Sequence, residues 1–252
     1  MLTINHCLII FAVTRRFHTP KVVTGLNPLD ARQGKHARDV LRLEDGTEVE
    51  LFDDAGTVAA GELVYDGNKA AVRVHRLDES EVEESVAITV AAAIPKGERA
   101  DWMVEKLSEL GVNVFIPLAT ERGVVVPEGT HKLERWLRIA TESAKQCRRR
   151  GVMRIESVTQ LAAYLARPVP ELAGRICLTT ERPAMQFYSM ILAMQDAVGL
   201  TLFIGPEGGW SDSELDQFEK AGVEFARLTE NILRIETAAI AAAAFTAMRL
   251  KS

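Results

Sequence analysis

The sequence predicts a small β-barrel followed by a larger α/β domain built on a parallel sheet. Three observations lead to this fold class. Short segments of alternating apolar and polar residues fill the chain before residue 78, and Asp-Gly pairs separate them. After residue 86, apolar runs alternate with helix-like stretches, as in parallel sheets that helices cover on both faces. Between the two parts lies DESEVEES (78–85), an acidic run that is typical of a solvated connector.

The first domain is expected to be antiparallel. Its segments are short, and the turns at Asp45-Gly46 and Asp66-Gly67 suit tight hairpins. The predicted strands are TEVELF (47–52), TVAAGELVY (57–65) and AAVRVHRL (70–77).

The second domain is expected to alternate strands and helices. The strand VAITVAAAI precedes an amphipathic helix around Trp102 that Gly111 ends, and VNVFIPL precedes a basic helix around Trp136. The remaining predicted elements are the strands RICLTT (175–180), LTLFIG (200–205) and EFARL (224–228), a helix after Ser211 and a final helix from about Thr237.

The composition sets limits on the class of protein. At 252 residues and 47% hydrophobic, the chain can bury one large or two modest cores. Its three cysteines have no CxxC spacing and its histidines lack the spacing of metal ligands, so we expect neither a disulfide framework nor a metal site. The apolar run at residues 7–13 is too short to span a bilayer, and no Lys or Arg precedes it as in a signal peptide. We therefore expect a cytoplasmic protein that does not enter a membrane.

Charge is distributed unevenly along the chain. The formal net charge of −5 by itself argues against a nucleic-acid partner. However, residues 132–154 contain eight Lys or Arg and two Glu, and residues 15–42 contain seven Lys or Arg and two Asp. Such runs are suited to phosphate contacts, so the sequence predicts two basic surfaces on an otherwise acidic protein.

Ligands of parallel sheets bind beyond the carboxyl ends of the strands. Three such ends carry polar residues or glycines in this sequence. They are LTTERPA (178–184), IGPEGGW (204–210) and RLTENILRIET (227–237). We expect a binding site where these segments meet.

The glycine-rich segment IGPEGGW is not one of the common phosphate loops. Gly209 is followed by Trp210 instead of the Lys-Ser/Thr of a P-loop, and the glycine intervals do not fit the Rossmann fingerprint. Its continuation GWSDS lacks the second glycine of a nucleophile elbow, whereas Ser211 with Glu214 predicts a helix capping box. What remains is a loop that brings backbone close to a ligand beside the Glu207 carboxylate. A cationic nucleoside such as S-adenosylmethionine suits it, and the alternative is a tight turn with a solvated acid.

The segment IGPEGGWSDSELDQFEKAGVEFARLTENILRIETAAIAA (204–242) resembles the C-terminal signature of the SPOUT methyltransferases, and within them the RsmE type. Further matches are KGERADWMVEKLSELGV, IPLATERGVV, RWLRIATESAKQCRR and, in the first domain, GKHARDVLRLEDGTEVELFD. The resemblance covers the chain from about Arg15 to its end. It implies an N-terminal extension at 1–14, a PUA-like β-barrel at 15–78, an acidic linker at 79–85 and a SPOUT domain at 86–252.

The resemblance implies an enzyme that uses S-adenosylmethionine to methylate N3 of a specific uridine in 16S ribosomal RNA of the small ribosomal subunit. It also implies a C-terminal trefoil knot and a homodimer formed through the SPOUT domain. The alanine-rich TAAIAAAAF (237–245) suits close helix packing in a dimer, although alanine-rich sequence is also simply a good helix former. The implied cofactor-binding residues are Thr180, Gly205, Glu207, Gly208, Gly209, Leu228, Leu233 and Ile235.

Methylation at N3 of a uridine requires the loss of a proton, because this nitrogen is a weak nucleophile until it becomes anionic. Arg234 and Glu236 lie together in LRIET, and Arg122 follows the strand VFIPLATE. Our hypothesis is that Arg234 or Arg122 stabilises the uracil anion, and that Glu236 orients an arginine or accepts the proton. The alternative is an Arg-Glu ion pair that only stabilises the fold.

Both basic runs are expected to contact RNA. Arg148 and Arg149 lie at the end of a helix, where their alternative role is to complement the helix dipole. Two other functions stay open at this point: a different SPOUT activity such as ribose 2′-O methylation of transfer RNA, and a ribosome assembly factor without cofactor. The implied RNA-binding residues are Arg15, Arg16, Lys35, His36, Arg38, Arg42, Arg148 and Arg149.

Overall fold

The computed structural model describes residues 15–77, 86–123, 131–194 and 196–250. The chain divides into two compact units, Met1–Ser80 and Glu81–Ser252. The expected extension at 1–14 and the expected linker at 79–85 lie outside the described residues.

The first unit contains a five-stranded, mostly antiparallel sheet. Its strands are β1 (Arg15–His18), β2 (Gly25–Pro28), β3 (Glu48–Phe52), β4 (Val58–Asp66) and β5 (Lys69–Val74). Their order is β1-β3-β4-β5-β2, with β1 parallel to β3 and the other neighbours antiparallel. The backbone ladder ends at β1 and β2 among the described residues.

The three predicted strands of this unit are confirmed as β3, β4 and β5. Alternation sends Val49, Leu51, Leu63 and Val72 into the core, where each is fully buried. The prediction missed β1 and β2, because four residues are too few to show a period. It also missed helix α1 (Ala31–Lys35), which continues as a π-helical turn over His36–Val40.

The second unit contains an eight-stranded sheet in which every pairing is parallel. Its strands are β6 (Ala87–Ala93), β7 (Val114–Ala119), β8 (Arg154–Ile155), β9 (Thr159–Gln160), β10 (Ala173–Leu178), β11 (Met185–Gln186), β12 (Gly199–Ile204) and β13 (Glu224–Arg227). The order is β11-β13-β10-β12-β6-β7-β8, and β9 also pairs with β7. The predicted parallel sheet is confirmed.

Helices cover both faces of this sheet, as predicted. Val90 and Leu202 point to the core beneath one set of helices, and their neighbours Ala91 and Phe203 point to the core on the other face. The last helix begins at Ile235, two residues before the predicted start. The helices are α2 (Arg99–Glu109), α3 (His131–Cys147), α4 (Leu161–Leu165), α5 (Phe187–Ala193), α6 (Asp212–Lys220) and α7 (Ile235–Leu250).

The topology fixes where a ligand can bind. β6 lies between β7, the next strand of the chain, and β12, which follows much later. The strand order therefore reverses at the β6–β12 boundary, and the loops that leave these two strands open a crevice there. Within the described residues, no helix is long and apolar enough to cross a bilayer.

Candidate active site

A cavity of about 340 Å³ lies at the carboxyl ends of the adjacent strands β13, β10 and β12. Its walls come from the segments after these strands and from the start of α7. The three strand ends singled out in the sequence thus meet in one place. All eight residues implied to bind the cofactor line this cavity: Thr180, Gly205, Glu207, Gly208, Gly209, Leu228, Leu233 and Ile235.

The glycines of the loop are required by what surrounds them. A Cβ atom at Gly205 would lie 2.9 Å from the indole ring of Trp210, which is buried beneath the loop. Gly209 has φ +72°, a conformation that favours glycine, and a Cβ atom there would collide with the Glu181 carboxylate. The Gly209 amide donates to the Pro206 carbonyl at 2.9 Å and closes a tight turn. Backbone is therefore exposed to the cavity along this turn.

The loop is anchored at the start of α6. Ser211 and Glu214 form the predicted capping box, in which Glu214 Oε2 accepts from the Ser211 amide at 2.9 Å. The other carboxylate oxygen, Oε1, accepts from the amide of Glu121 at 2.9 Å. The buried Glu214 therefore joins the loop after β12 to the loop after β7.

Arg122 holds the same loop from its other side. Its Nη1 donates to the carbonyl oxygens of Gly208 and Trp210, each at 3.0 Å. The sequence hypothesis gave this guanidinium a role on the uracil anion. In the structure these hydrogen bonds connect Arg122 to the loop backbone, and its role on the uracil stays a prediction.

Arg99 is a site residue that the sequence analysis missed. It begins α2, and its Nη1 lies 2.9 Å from Glu207 Oε1 and 3.5 Å from Glu236 Oε1. The hydrogen bond that Arg99 donates to Glu207 is the main cause that raises the pKa of its guanidinium; the charge of Glu236 adds to it, while desolvation acts in the opposite sense. The signal was available, because Arg99 follows the strand β6 just as Glu207 follows β12.

Glu236 and Arg234 differ in their exposure to solvent. The Glu236 side chain is 5% exposed, and its Oε2 atom is buried without a hydrogen-bond partner among the described residues. Arg234 is exposed and lines a second cavity of about 480 Å³ together with Arg99 and Glu207. The Arg-Glu pairing considered from the sequence is thus made by Arg99 rather than by Arg234.

The eight residues implied to bind RNA separate into two groups. Lys35, His36, Arg15, Arg42 and Arg148 are exposed, and Arg38 is half-buried. Arg16 is different, because its guanidinium stacks 4.1 Å from the Phe52 ring centroid and pairs with Glu50.

The Arg149 guanidinium is also bound by other groups of the protein. Its Nη1 donates to the carbonyl oxygens of Ser108 at 3.0 Å and Val112 at 2.9 Å, and burial lowers its pKa. The Arg149 guanidinium therefore satisfies carbonyls at the end of α2. Among the described residues, no cluster of His, Cys, Asp or Glu could hold a metal ion.

Residues 82–247 match a protein family described as the RNA methyltransferase domain, and residues 29–74 match the RNA methyltransferase PUA domain. The chain belongs to the RNA methyltransferase family. The PUA match falls in the first unit of this methyltransferase, and the domain match spans the sheet, the glycine loop and most of α7.

Two curated relatives of this methyltransferase have the same name. The Ribosomal RNA small subunit methyltransferase E of Synechocystis sp. is 29% identical over 220 residues, which are 86% of this chain and 71% of the relative. The protein of that name from Mycobacterium bovis is 30% identical over 219 residues, covering 85% of this chain and 83% of the relative.

Solved structures with the same fold include proteins that hold S-adenosylmethionine. The Ribosomal RNA small subunit methyltransferase E of Neisseria gonorrhoeae, bound to S-adenosyl methionine, aligns with a TM-score of 0.78 and 26% identity over 92% of this chain and 95% of that one. A methyltransferase structure from Legionella pneumophila with the bound cofactor SAM aligns with a TM-score of 0.80 and 28% identity over 92% of this chain and 96% of that one.

Proposed function

We propose that this chain is an S-adenosylmethionine-dependent methyltransferase that modifies N3 of a specific uridine in the 16S ribosomal RNA of the small ribosomal subunit. The observation that carries the proposal is the convergence of the segments after β10, β12 and β13 on one cavity. The names of the curated relatives support the RNA substrate, and the cofactor in the similar structures supports the methyl donor. The choice of N3 follows the RsmE-type resemblance of the sequence.

The residues of the cavity fit S-adenosylmethionine. Its volume is within the usual range for small-molecule sites, roughly 300–1,000 Å³. Leu228, Leu233 and Ile235 offer apolar walls for an adenine, and the turn at Gly208 and Gly209 exposes backbone groups for its polar edges. At one side, the Glu207 carboxylate and the Arg99 guanidinium form a pair of opposite charges. The ammonium of a methionine tail is complementary to the Glu207 carboxylate of this pair.

The cofactor, when bound, supplies a methyl group on a sulfonium; the protein must position the acceptor and stabilise its anion. Arg234 is exposed beside the cavity and is suited to contact the uracil. Glu236 is buried next to Arg99 and orients that guanidinium, or accepts a proton through its unpartnered oxygen. Arg122 keeps the glycine turn in place through two carbonyl oxygens.

RNA capture is assigned to the exposed basic residues of both units. The first unit, of the PUA type, contributes Arg15, Lys35, His36 and Arg42 with the half-buried Arg38, and the second unit contributes Arg148. Arg16 and Arg149 are left out of this surface, because their guanidinium groups are held by the protein itself. The division into an RNA-binding domain at 15–78 and a catalytic domain at 86–252 is part of the same proposal.

We also propose the trefoil knot, the homodimer and the cytoplasmic location implied by the family resemblance. In support of the knot, the chain leaves β13 on one side of β10 and then returns to pack α7 against β6, β12 and α2. Such a return requires the last segment to pass the loops after β10 and β12. In support of the dimer, Met248 of α7 is an exposed apolar residue. Light scattering of the purified protein tests the dimer, and a monomer at micromolar concentration would contradict it.

The proposed activity is tested in two steps. Isothermal titration with S-adenosylmethionine should show one binding event per chain, whereas a cofactor-free assembly factor would show none. Mass spectrometry of 16S ribosomal RNA from a deletion strain should then show the loss of one 3-methyluridine, which the complementing gene restores. Loss of a 2′-O-methylated nucleotide instead would support the other SPOUT activity.

A further inference from the structure

We propose that the second cavity receives the acceptor base, and that Arg99 is a catalytic residue that stabilises the anionic imide edge of that base. This cavity lies between Arg99 and Arg234, and Glu207, Ile232 and Leu233 complete its lining. The inference rests on the proposed methyltransferase activity and adds to it a binding site and a residue.

The two cavities are neighbours with a common wall. Glu207, Ile232 and Leu233 line both of them. Methyl transfer is an in-line displacement, so donor and acceptor must lie on either side of a short gap. A second open cavity that shares three residues with the cofactor cavity meets this requirement.

The topology places the second cavity at the strand reversal. Arg99 follows β6 and Glu207 follows β12, and these strands are the neighbours between which the order of the sheet reverses. The lip of the cavity carries Ile232, which is 87% exposed. An exposed apolar side chain beside a cavity gives a flat base a surface on which to pack.

Arg99 is held in place and still has donors to offer. Its Nη1 makes the contacts with Glu207 and Glu236, and the rest of the guanidinium has no protein partner among the described residues. A guanidinium carries five N–H donors, so contacts with two carboxylates leave some for a ligand. The position of Arg99 at the start of a helix is electrostatically unfavourable for a cation, which the two carboxylates offset.

The reaction balances with these groups. The N3–H bond of the uracil breaks and its electron pair stays on the ring, while the proton passes to water. The negative charge spreads over N3 and the two flanking carbonyl oxygens, where the guanidinium of Arg99 donates hydrogen bonds. The N3 lone pair then bonds to the methyl carbon as the carbon–sulfur bond breaks, and that electron pair returns to the sulfur.

The test compares Arg99→Ala with a matched control, Arg182→Ala. Both arginines pair with two carboxylates, and their side chains are 32% and 31% exposed. We expect Arg99→Ala to lower the single-turnover rate about 100-fold or more, as for loss of one oxyanion donor. Its dissociation constant for S-adenosylmethionine should stay within about 3-fold of wild type, because the contact belongs to the transition state. Arg182→Ala should match wild type in both measurements.

A second substrate separates catalysis from structure. Small-subunit RNA transcribed with 5-fluorouridine has more acidic N3 positions, so its anion needs less stabilisation. The ratio of the wild-type rate to the Arg99→Ala rate should therefore be about 10-fold smaller on this RNA than on unmodified RNA. A variant that is merely misfolded would gain nothing. If Arg99→Ala lowers the stability of the protein, Arg99→Lys replaces it in the test. This variant keeps the charge without the planar guanidinium, so its rate should lie between those of wild type and Arg99→Ala.

The outcomes also distinguish the inference from the function on which it rests. Wild-type protein that binds the cofactor but methylates neither RNA would overturn the proposed function and this inference with it. Wild-type methylation with equal rates in Arg99→Ala and Arg182→Ala, or a loss in Arg99→Ala that fluorouridine leaves unchanged, would overturn the role of Arg99 alone.

Discussion

At Gly205 of the glycine loop, the packing of neighbouring atoms requires glycine, and the backbone conformation does not. Gly205 has no unusual φ angle, yet the indole of Trp210 occupies the space that a side chain would need. Trp210 in turn donates from Nε1 to the Leu178 carbonyl at 3.2 Å and packs edge-to-face on Phe218. It cannot give way without disturbing the core.

Gly205→Ala should therefore weaken cofactor binding at least about 10-fold, because the loop must move away from Trp210. Isothermal titration with S-adenosylmethionine measures the effect. Gly199→Ala is the matched control, since it lies at the other end of β12 and its Cβ would meet its nearest neighbour at 3.6 Å, an ordinary contact. Equal affinities in the two variants would contradict the tight packing described for Gly205.

The site was predictable wherever a strand end carries a distinctive residue. The rule that ligands bind beyond the carboxyl ends of strands led to Thr180, Gly205 and Leu228, which line one cavity. The same rule points to the segment after β6, but it does not show that Arg99 of this segment pairs with Glu207, 108 positions away in the chain. The role of Arg149 was not predictable either, because a basic run in the sequence does not show which of its arginines binds backbone carbonyl oxygens.

At the scale of elements, Glu214 connects structure that is distant in sequence. It completes the capping box of α6 and also accepts a hydrogen bond from the amide of Glu121, 93 residues earlier. The start of α6 and the loop after β7 are therefore held by one buried carboxylate.

Glu214→Ala should destabilise the second unit by about 2 to 4 kcal/mol, because it removes a helix cap and leaves two backbone N–H groups without a partner. Urea unfolding followed by tryptophan emission measures this, since all three tryptophans lie in the second unit. The control Ser213→Ala is at an exposed position of the same helix and should stay within about 0.5 kcal/mol of wild type. A similar small change in both variants would show that the cap is unimportant.

Asp53 has a comparable role in the first unit, after β3. Its buried carboxylate accepts from the amides of Val22 at 3.0 Å and Thr57 at 2.8 Å. Burial acts to raise the pKa of Asp53, but hydrogen bonds from the backbone of Val22, Thr57 and Gly56 outweigh it, so the pKa is lowered. A lowered pKa stabilises the fold above the unfolded value of about 3.9 and ceases to do so as the pH falls through the folded value.

Asp53→Asn should therefore destabilise the first unit at pH 7, and the difference from wild type should shrink as the pH falls below about 4. Hydrogen exchange of peptides from β3 and β4 in urea measures stability in this unit. The neighbouring Asp54 is 59% exposed, so Asp54→Asn is the control and should show a much smaller effect. A constant difference between Asp53→Asn and wild type from pH 7 to pH 3 would contradict the assignment.

Elements with a clear period were predicted, and short ones were not. β4 and α3 are long enough for their alternation or helical spacing to appear in the sequence. β8, β9 and β11 have two residues each and depend on a neighbouring strand for their conformation. The strand order of the first sheet was equally out of reach, because pairing between strands that are distant in the sequence has no local signature.

At the scale of the whole molecule, an acidic protein carries exposed basic groups in separate regions of its sequence. Lys35, Arg42 and Arg15 are exposed although the net charge is −5. Binding to RNA through such groups releases counterions, so its affinity depends on salt.

Lys35→Ala and Arg42→Ala should each weaken binding to small-subunit RNA and reduce the slope of log affinity against log salt by about 0.7 to 0.9. Filter binding over a range of KCl concentrations measures the slope. Arg73→Ala, on the exposed face of β5, is the control with the same loss of charge. If all three variants lose the same slope, the effect belongs to net charge and not to a defined surface.

The indole beneath the glycine turn is also an intrinsic fluorescent probe of the cavity. Trp210 lines the cavity, whereas Trp102 lies half-exposed on α2 and Trp136 is buried in α3. With Trp102 and Trp136 replaced by phenylalanine, the remaining emission would come from a single fluorophore in contact with the entering nucleoside. Occupancy could then be followed optically in dilute solution, without labelling either molecule.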